Sequence, residues 1–471
     1  MAPHSAAPPS SSADVERWVL IGAIVASSMA FIDQTALNVA FPALQASLNV
    51  TGSELFWIIS AYNLFLASLI LVGGSLGDQI GRKRVFMAGI VVFTLASVAC
   101  GAAPSGGFLI AARAVQGIGG AFMVPGSLSI LSSTFAPERR GIAIGTWSTF
   151  STVTTVLGPL VGGWLADQGL WRGVFLINVP LALIALFALR RVPESRSQNV
   201  PKQLDIPGAV LATLGLAGLS VGFIQGPQIG FGHPLIVGAL VGGVLALVAF
   251  VLVEARSDHP MVPLRLFRSR TFTGTNLLTL LLYGALAAFS LFSSLSLVQV
   301  HGYDAALAGA ALLPFSFMLI LMSRWAGGLV TRIGPRIPLT LGAAIVGVGF
   351  FWFGSIGLTN GAADYWTTFF PVAVTIGIGM GFVVAPLTTA VMGSAPTDSS
   401  GTASGVNNAV ARTASVLAIA IMGGVALVAF TGAVDARTQP LELDAETRNM
   451  LLTEEAARLA DARVPEGVPE P

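Results

Sequence analysis

The sequence predicts an all-α protein that crosses a membrane about thirteen times. Composition is the first reason, because 54% of the 471 residues are hydrophobic, only 10% are charged, and the mean hydropathy is +0.80. Soluble domains carry about 25% charged residues. The second reason is that apolar residues form runs of about 20, the length an α-helix needs to cross the hydrocarbon core. The third is that the short loops between these runs alternate between basic and nearly uncharged.

Thirteen apolar segments follow one another along the chain, and consecutive segments are expected to cross the membrane in opposite directions. Their predicted ranges are 18–40, 54–74, 85–103, 107–132, 141–165, 172–190, 207–227, 233–253, 273–299, 306–330, 337–358, 366–392 and 404–430.

The basic loops predict the orientation, because short loops rich in Arg and Lys stay on the cytoplasmic side. If the N-terminus is cytoplasmic, Arg172 is the only cationic residue in the outer loops. The inner loops then contain Arg82, Lys83, Arg84, Arg139, Arg140, Arg190, Arg191, Arg196, Lys202, Arg256, Arg265, Arg268, Arg270, Arg332 and Arg336. The loop 393–403 lacks this signal. Thirteen crossings place the C-terminal residues outside.

Composition divides the chain into five parts. Residues 1–17 are rich in Ala, Pro and Ser and lack the basic start of a signal peptide, so a disordered cytoplasmic tail is expected. Residues 18–190 contain six segments, and 191–272 are a linker with two inserted transmembrane helices. Residues 273–430 contain the remaining five segments. Residues 431–471 have no apolar run long enough to span and are expected to form a polar outer tail.

The stretch 73–84 has the sequence Gly-Gly-Ser-Leu-Gly-Asp-Gln-Ile-Gly-Arg-Lys-Arg and is predicted to be a short cytoplasmic turn. Its glycines permit close approach of helix ends, and its aspartate can accept hydrogen bonds from a helix N-terminus or pair with an arginine. These properties suit a conformational latch between helices. A turn that only sets orientation is the alternative. The expected latch residues are Gly74, Asp78, Gly81, Arg82 and Lys83.

This stretch resembles the loop between the second and third helices of the major facilitator superfamily, in which Gly-x-Leu-x-Asp-x-x-Gly-Arg-Lys/Arg recurs. The matching residues are Gly74, Leu76, Asp78, Gly81, Arg82 and Lys83. A weaker copy in the second half consists of Gly327, Leu329, Ile333 and Gly334, with Thr331 in place of the aspartate. An internal repeat is expected of a transporter built from two halves.

Asp33 lies well inside the first segment, where a carboxylate costs about 2.5–3.5 kcal/mol. Gln34 and Asn38 belong to a polar stripe about 100° away around the helix and suit the wall of a watery cavity. We therefore expect Asp33 to lie between a neighbouring helix and the cavity, where it can bind and release a proton. A static salt bridge is the alternative. The pattern Asp-x-Thr-x-x-Asn-Val-Ala-x-Pro around Asp33 resembles one in the fourteen-helix drug:proton antiporter family. In that family, an acid at the position of Asp33 is linked to proton coupling.

Arg113 is the expected partner of Asp33, because it lies inside the fourth segment and its guanidinium cannot lose its proton. Gln116 lies one helical turn further along the same side. The sequence Arg-x-x-Gln-Gly resembles the fourth-helix pattern of the superfamily.

The fifth segment contains a glycine pattern that resembles the antiporter motif of this superfamily. Its residues are Gly145, Gly158, Pro159, Gly162 and Gly163, with Thr154 where the pattern has another glycine. The proline bends the helix, and the glycines permit tight packing that can slide. Ordinary helix packing is the alternative explanation of such glycines.

The second half contains Arg412 inside the last segment, and segments 9–13 contain no acid to pair with it. Arg412 is expected either to attract an anionic substrate or to donate to a carbonyl group, and both remain open. Further candidates for a substrate cavity are Gln34, Asn38, Tyr62, Gln116, Trp147, Asn276 and Asn407. Helix packing is the alternative role for these residues.

The sequence indicates no enzyme, metal site or cofactor. The histidines, at positions 4, 233, 259 and 301, lack metal-ligand spacing, and no Gly-x-x-x-x-Gly-Lys-Ser/Thr motif is present to bind ATP. No basic patch with interleaved aromatic residues indicates nucleic-acid binding. The expected partners are a small-molecule substrate, protons and the lipid bilayer, and a monomer in the plasma membrane is expected.

The number and order of segments resemble the fourteen-helix drug:proton antiporter family over residues 18–430. This resemblance implies the major facilitator fold, with two six-helix-type halves and two extra helices between them, although residues 431–471 contain no apolar run long enough for the family's last helix. It also implies a proton-coupled antiporter that exports small amphipathic compounds by alternating access. A dedicated metabolite exporter or importer, or a non-transporting membrane protein, are the alternatives.

Overall fold

The protein is a bundle of long α-helices in the computed structural model, which describes residues 12–195, 205–258, 260–394, 400–439 and 450–452. Within these ranges, the surroundings of some helical residues are not described, among them Asp78, Gly145 and Arg324. None of the described residues forms a β-strand.

Fifteen α-helices follow one another through these residues. The first seven are α1 (Ser12–Leu48), α2 (Gly52–Ile80), α3 (Arg82–Gly101), α4 (Gly106–Thr134), α5 (Pro137–Asp167), α6 (Gly173–Leu176) and α7 (Asn178–Arg190). The next two are α8 (Ile206–Ile229) and α9 (Pro234–Arg256). The last six are α10 (Arg270–Leu295), α11 (Ala305–Ala311), α12 (Leu313–Ile333), α13 (Arg336–Gly354), α14 (Phe369–Gly393) and α15 (Ser400–Thr438).

The helices lie where the apolar segments were predicted. Twelve of the described helical stretches are long and apolar enough to cross a membrane, and they coincide with every predicted segment except the fifth. The fifth lies within α5, a helix of 31 residues. Two predicted segments are interrupted, since the sixth divides into α6 and α7 at Ile177 and the tenth into α11 and α12 at Leu312. Pro314 follows the second break and cannot donate a hydrogen bond to the preceding turn.

Three predicted irregular stretches are partly helical instead. Helix α1 begins at Ser12, so residues 12–17 are not disordered, and Glu16 there forms an ion pair of 2.7 Å with Arg139 of α5. In the stretch 73–84 only Gly81 lies outside a helix; Gly73 and Gly74 lie within α2 and face α4. Helix α15 continues to Thr438, eight residues past its predicted end.

The first half packs around α4. Helices α2 and α3 lie against α4, and α1 lies against α5 and α7. Close approach depends on Gly117 and Gly119, since a methyl group at these positions would collide with the backbone of Tyr62 in α2 and of Phe93 in α3 respectively. Small residues replace the hydrophobic effect as the basis of helix association in lipid.

The second half packs around α14, which lies against α12 and α13, while α10 lies against α15. The inserted helices α8 and α9 form a hairpin. Helix α8 contacts both α2 of the first half and α15 of the second, where Leu216 packs with Leu64 and Val416. The hairpin therefore covers a seam between the halves.

A second seam joins the halves where α5 meets α11. The carboxylate of Asp167, at the end of α5, accepts hydrogen bonds from the backbone N–H groups of Ala305 and Ala306 at 2.8 and 3.0 Å. Nearby, the Gln299 side chain donates to Gln45 of α1 at 3.2 Å. These contacts lie at the end of the bundle that the basic loops predict to be the outer one, so this seam is closed at that end.

Candidate functional site

The centre of the first half contains a buried ion pair between Asp33 of α1 and Arg113 of α4. Arg113 Nη1 lies 2.6 Å from Asp33 Oδ2, and the two residues are 1% and 0% exposed. Arg113 also donates from Nε to the carbonyl oxygen of Ile58 at 3.2 Å. Its guanidinium stacks on the ring of Tyr62, with 4.3 Å between Cζ and the ring centroid. Asp33 is therefore paired with Arg113, the partner that the sequence predicts.

Two amides complete the surroundings of the Asp33 carboxylate. Gln116 of α4 donates to Asp33 Oδ1 at 2.8 Å and to Ser97 Oγ at 2.7 Å, and it accepts from Arg113 at 2.6 Å. Asn178 of α7 donates to the same Asp33 oxygen at 3.4 Å and to Ser97 at 3.1 Å. The cluster joins α1, α3, α4 and α7, so its members all belong to the first half.

The Asp33 carboxylate does not reach a cavity in this conformation, contrary to our expectation. Gln116 and Asn178 cover it on the sides that Arg113 leaves open. Each hydrogen bond described for the carboxylate comes from a donor, one from the Arg113 guanidinium and two from side-chain amides. Loss of the negative charge would leave Arg113 as an unpaired buried cation, which is strongly unfavourable.

Contacts between the halves lie beside this cluster, on the polar stripe predicted for α1. Gln34 accepts a hydrogen bond of 2.9 Å from Nη1 of Arg412 in α15 and donates at 3.4 Å to Asn63 of α2. One turn further, Asn38 donates to Ser290 of α10 at 2.9 Å. Both residues of the stripe thus contact the second half, and their partners could not be inferred from the sequence.

The other cavity candidates have different surroundings. Tyr62 and Gln116 belong to the buried cluster around Arg113 and do not line an open space in this conformation. Asn276 is 3% exposed and accepts from Asn407 at 3.1 Å, which is a contact within the second half. Trp147 of α5 donates from Nε1 to Ser27 of α1 at 2.9 Å, within the first half.

The antiporter-like glycines of α5 fit against two different helices. Methyl groups on Gly158 and Gly162 would collide with Thr35 and Ala36 of α1, whereas one on Gly163 would collide with Ala305 of α11. From the opposite side, Gly309 of α11 lies against the Pro159 carbonyl. One side of α5 therefore packs against α1 of the same half, and the other side packs against α11 of the second half. The surroundings of Gly145 are not among those described.

The junction between α2 and α3 is held by Glu194, a residue that the sequence analysis missed. Glu194 follows α7 and accepts from the backbone N–H groups of Lys83 and Arg84 at 3.0 and 3.2 Å. The Lys83 ammonium donates to the carbonyl of Val192 at 2.6 Å. Gly81 has a φ of 127°, which favours glycine. A Cβ atom on Gly74 would be in ordinary van der Waals contact with Pro125 of α4 at 3.7 Å, and the side chain of Asp78 is not among those described.

A family profile agrees with this architecture, since that of the Major Facilitator Superfamily matches residues 23–420. The chain belongs to the Major Facilitator Superfamily. It is thus a multi-pass membrane protein of a transporter family, and its two packed halves are those of that fold.

Several curated relatives are named as export or resistance proteins. The chain is 37% identical to the cephamycin export protein CmcT of Amycolatopsis lactamdurans over 86% of this chain and 83% of that protein. It is 31% identical to the tetracenomycin C resistance and export protein of Streptomyces glaucescens, over 86% and 74% of the two chains. It is also 31% identical to the multidrug resistance protein Stp of Mycobacterium tuberculosis, over 84% and 73%.

Solved structures agree on the fold. A bacterial homologue of the human lysosomal transporter Spinster, in an inward-facing and unoccupied conformation, superimposes with a TM-score of 0.66 at 20% identity, over 96% of this chain and 89% of that one. A peptide transporter POT in complex with sulfate gives 0.63 at 16% identity, over 95% and 92%. The major facilitator fold expected from the sequence is confirmed.

We predict that Gly81→Val slows transport by about tenfold while substrate affinity changes by less than about twofold, because strained backbone costs about 1–3 kcal/mol and the junction is remote from the central contacts. A Cβ atom on Gly81 would lie 2.6 Å from the Glu194 carboxyl carbon, in addition to the unfavourable φ. Transport rate and binding affinity are measured on the same preparations.

The matched control is Gly107→Val, because a Cβ at Gly107 meets no atom within 4 Å. Glu194→Gln should shift transport in the same direction as Gly81→Val but less. Weakened affinity at an unchanged rate would refute the latch and indicate a role in substrate binding.

Proposed function

We propose that this chain exports small amphipathic compounds across the plasma membrane in exchange for protons, by alternating access of a central site. The observation that carries the proposal is the buried cluster of Asp33, Arg113 and Gln116, because it holds a titratable carboxylate against a cation that cannot titrate. Structural rigidity alone does not need an ionised acid at this depth.

Protonation of Asp33 gives the cluster two arrangements. In the described one, the carboxylate neutralises Arg113 and is held by Gln116 and Asn178. A bound proton removes that negative charge, so Arg113 must find other acceptors, such as Gln116 Oε1 or the Ile58 carbonyl that it already contacts. Because Asp33 lies on α1 and Arg113 on α4, this exchange changes how the two helices attract each other. A two-state element that a proton can bias is what coupling requires.

The position of α1 supports coupling between protonation of Asp33 and the contacts that join the two halves. Gln34, the next residue along the chain, contacts Arg412 of the other half, and Asn38 contacts Ser290. On its other side α1 packs against α5, whose Gly163 meets α11. A shift of α1 would therefore reach both the central contacts and the closed outer end.

The orientation is part of the proposal. We place the N-terminus in the cytoplasm because of the basic loops. The hydrogen bonds of Asp167 to α11 then close the extracytoplasmic side, and the described conformation is the one in which substrate enters from the cytoplasm. Rocking of the halves would break these bonds and open the site outward.

The energetics are sufficient for export. One proton entering down a potential of 100 mV releases about 2.3 kcal/mol. At about 1.4 kcal/mol per tenfold, this supports a roughly fifty-fold gradient of an uncharged substrate.

A dedicated exporter of one compound is the second candidate. It is favoured by relatives named for single compounds, such as the cephamycin export protein, beside others named for multidrug resistance. A panel of compounds distinguishes the two, because a dedicated exporter will move one member and a multidrug exporter several unrelated ones.

The test uses everted membrane vesicles with an imposed proton gradient, acidic inside. Cephamycin, tetracenomycin C and puromycin are offered in turn, since relatives are named for them. At least one should accumulate in the vesicles as protons leave, and a protonophore should abolish the accumulation. Accumulation that survives the protonophore would refute proton coupling, and accumulation of none of them, with the protein present in the membrane, would count against this export function.

A further inference from the structure

Arg412 is a cation in the interior of the bundle that none of the described carboxylates neutralises. The ion pairs among the described residues join Arg84 with Glu194, Arg113 with Asp33, and Arg139 with Glu16. Arg412 instead donates from Nη1 to the amide oxygen of Gln34 at 2.9 Å. Gln34 adjoins Asp33 near the middle of α1, so this contact lies at the depth of the proton site.

Arg113 and Arg412 differ in access as well as in charge balance. Arg113 is 1% exposed, and its guanidinium contacts a carboxylate, an amide, a carbonyl group and an aromatic ring. Arg412 is only partly buried. Its guanidinium has five N–H donors, and within the described residues it donates one hydrogen bond, to the neutral oxygen of Gln34. Arg412 is therefore the cation that can still meet a ligand.

The surroundings of Arg412 suit a ligand that is both apolar and charged. In the second half, Tyr283 of α10 lies near Arg412, and the Asn38 to Ser290 contact lies further along the same seam. Gln34 presents an sp² oxygen to Nη1 in the position that one carboxylate oxygen would take. A carboxylate would add a second oxygen and a negative charge, and arginine binds such a group through two parallel hydrogen bonds.

We propose that Arg412 binds a carboxylate group of the exported compound, which displaces Gln34 when it enters. This inference rests on the proposed export function and names its substrate class. Release of Gln34 loosens the contact between α1 and α15, so substrate entry weakens the link between the halves next to Asp33. Occupancy of the site and the position of α1 are thereby connected.

The proposal also specifies the net charge that crosses the membrane in each transport cycle. With one proton entering per substrate, export of an uncharged compound carries one positive charge inward. Export of a monoanion carries two, because an anion leaving is equivalent to a positive charge entering. The membrane potential then drives an acid twice as strongly as its uncharged ester.

The experiment compares dansyl-phenylalanine, which carries a carboxylate, with its uncharged methyl ester. Binding to the purified full-length protein is measured by equilibrium dialysis, and proton-driven accumulation is measured in everted vesicles. The wild-type protein should bind the acid about tenfold more tightly than the ester, a difference typical of one charged pair. Arg412→Gln should remove this preference, and Arg412→Lys should retain part of it.

The matched control is Arg172→Gln. Arg172 is also an arginine with a hydrogen bond to a neutral acceptor, the Ala103 carbonyl at 3.1 Å, but it lies at the predicted outer surface. This variant should keep the wild-type ratio of acid to ester. Equal binding of acid and ester by the wild-type protein, or an equal loss of both in Arg412→Gln, would overturn the proposal.

The two measurements separate the inference from the export function. If the acid binds in preference through Arg412 but neither probe accumulates with the proton gradient, export of these probes fails and the carboxylate site stands. If the ester accumulates as well as the acid and Arg412→Gln changes neither, export stands and the carboxylate site is refuted.

Discussion

Replacing Asp33 with asparagine should abolish proton-driven export while leaving the protein in the membrane. The amide fills the same space and can keep hydrogen bonds in the cluster, but it cannot bind and release a proton. Accumulation of substrate in acid-loaded everted vesicles should fall to the level of vesicles without the protein. Proton release on addition of substrate is the direct readout, and it should disappear in Asp33→Asn. Unchanged proton release would exclude Asp33 as the coupling residue.

The same substitution leaves Arg113 without its counter-charge, which is expected to cost about 3–5 kcal/mol of stability. Loss of transport could then reflect loss of fold, so a second variant is needed. Asp33→Asn combined with Arg113→Gln removes both charges and should recover most of the thermal stability measured in detergent. Transport should remain absent in the double variant. Recovery of proton-coupled transport together with stability would show that the pair only holds the helices together.

The buried pair could be predicted from the sequence because of a simple physical constraint. An acid and an arginine inside apolar segments are each unfavourable alone, and the first half has one of each at a suitable depth. The amides that enclose the acid were harder to infer. Gln116 shares a helix side with Arg113, but Asn178 comes from a helix entry 145 residues from Asp33, and helical periodicity carries no information about such neighbours.

The contacts between the halves could not be inferred from the sequence for the same reason. Arg412 lacked an acid in its own half, which indicated either a ligand or a neutral acceptor, but nothing in the pattern of α15 pointed to Gln34, 378 residues away. Asp167 is an acid at a helix end, where solvent is the ordinary expectation. Its role at the seam follows only from the position of α11.

The stretch 73–84 shows where local reasoning fails in a membrane protein. Glycines near a cation cluster predicted a turn, because in water glycine disfavours helix interiors. Here Gly73 lies against the Ala121 carbonyl in the interior of a helix pair, so the glycine serves close packing and the helix continues to Ile80. The break is confined to Gly81, whose φ of 127° is the feature that requires glycine.

Placing valine at Gly163 should prevent the halves from closing at the outer end and should lower transport by about a hundredfold, since a backbone collision of this kind cannot be relieved by rotating a side chain. A Cβ atom at Gly163 would collide with the carbonyl oxygen of Ala305, and one at Gly309 would collide with that of Pro159. Gly309→Val should therefore reproduce the effect from the other half. Transport is measured in everted vesicles, beside thermal unfolding.

The position of the block distinguishes a failed gate from a failed fold. A cysteine at Ala306, in a Cys100→Ala background, lies at the closed seam and should react faster with a membrane-impermeant maleimide when Gly163 is valine, because the seam stays open outward. Gly347→Val is the control, since a Cβ there meets no atom within 4 Å, and it should leave both transport and labelling unchanged. Gly162→Val separates the two sides of α5, because its collision is with Ala36 of α1 in the same half; it should lower the unfolding temperature without raising the labelling rate at position 306. Wild-type transport in Gly163→Val would mean that the α5 to α11 contact is not part of the cycle, and the alternating-access assignment of this seam would have to be abandoned.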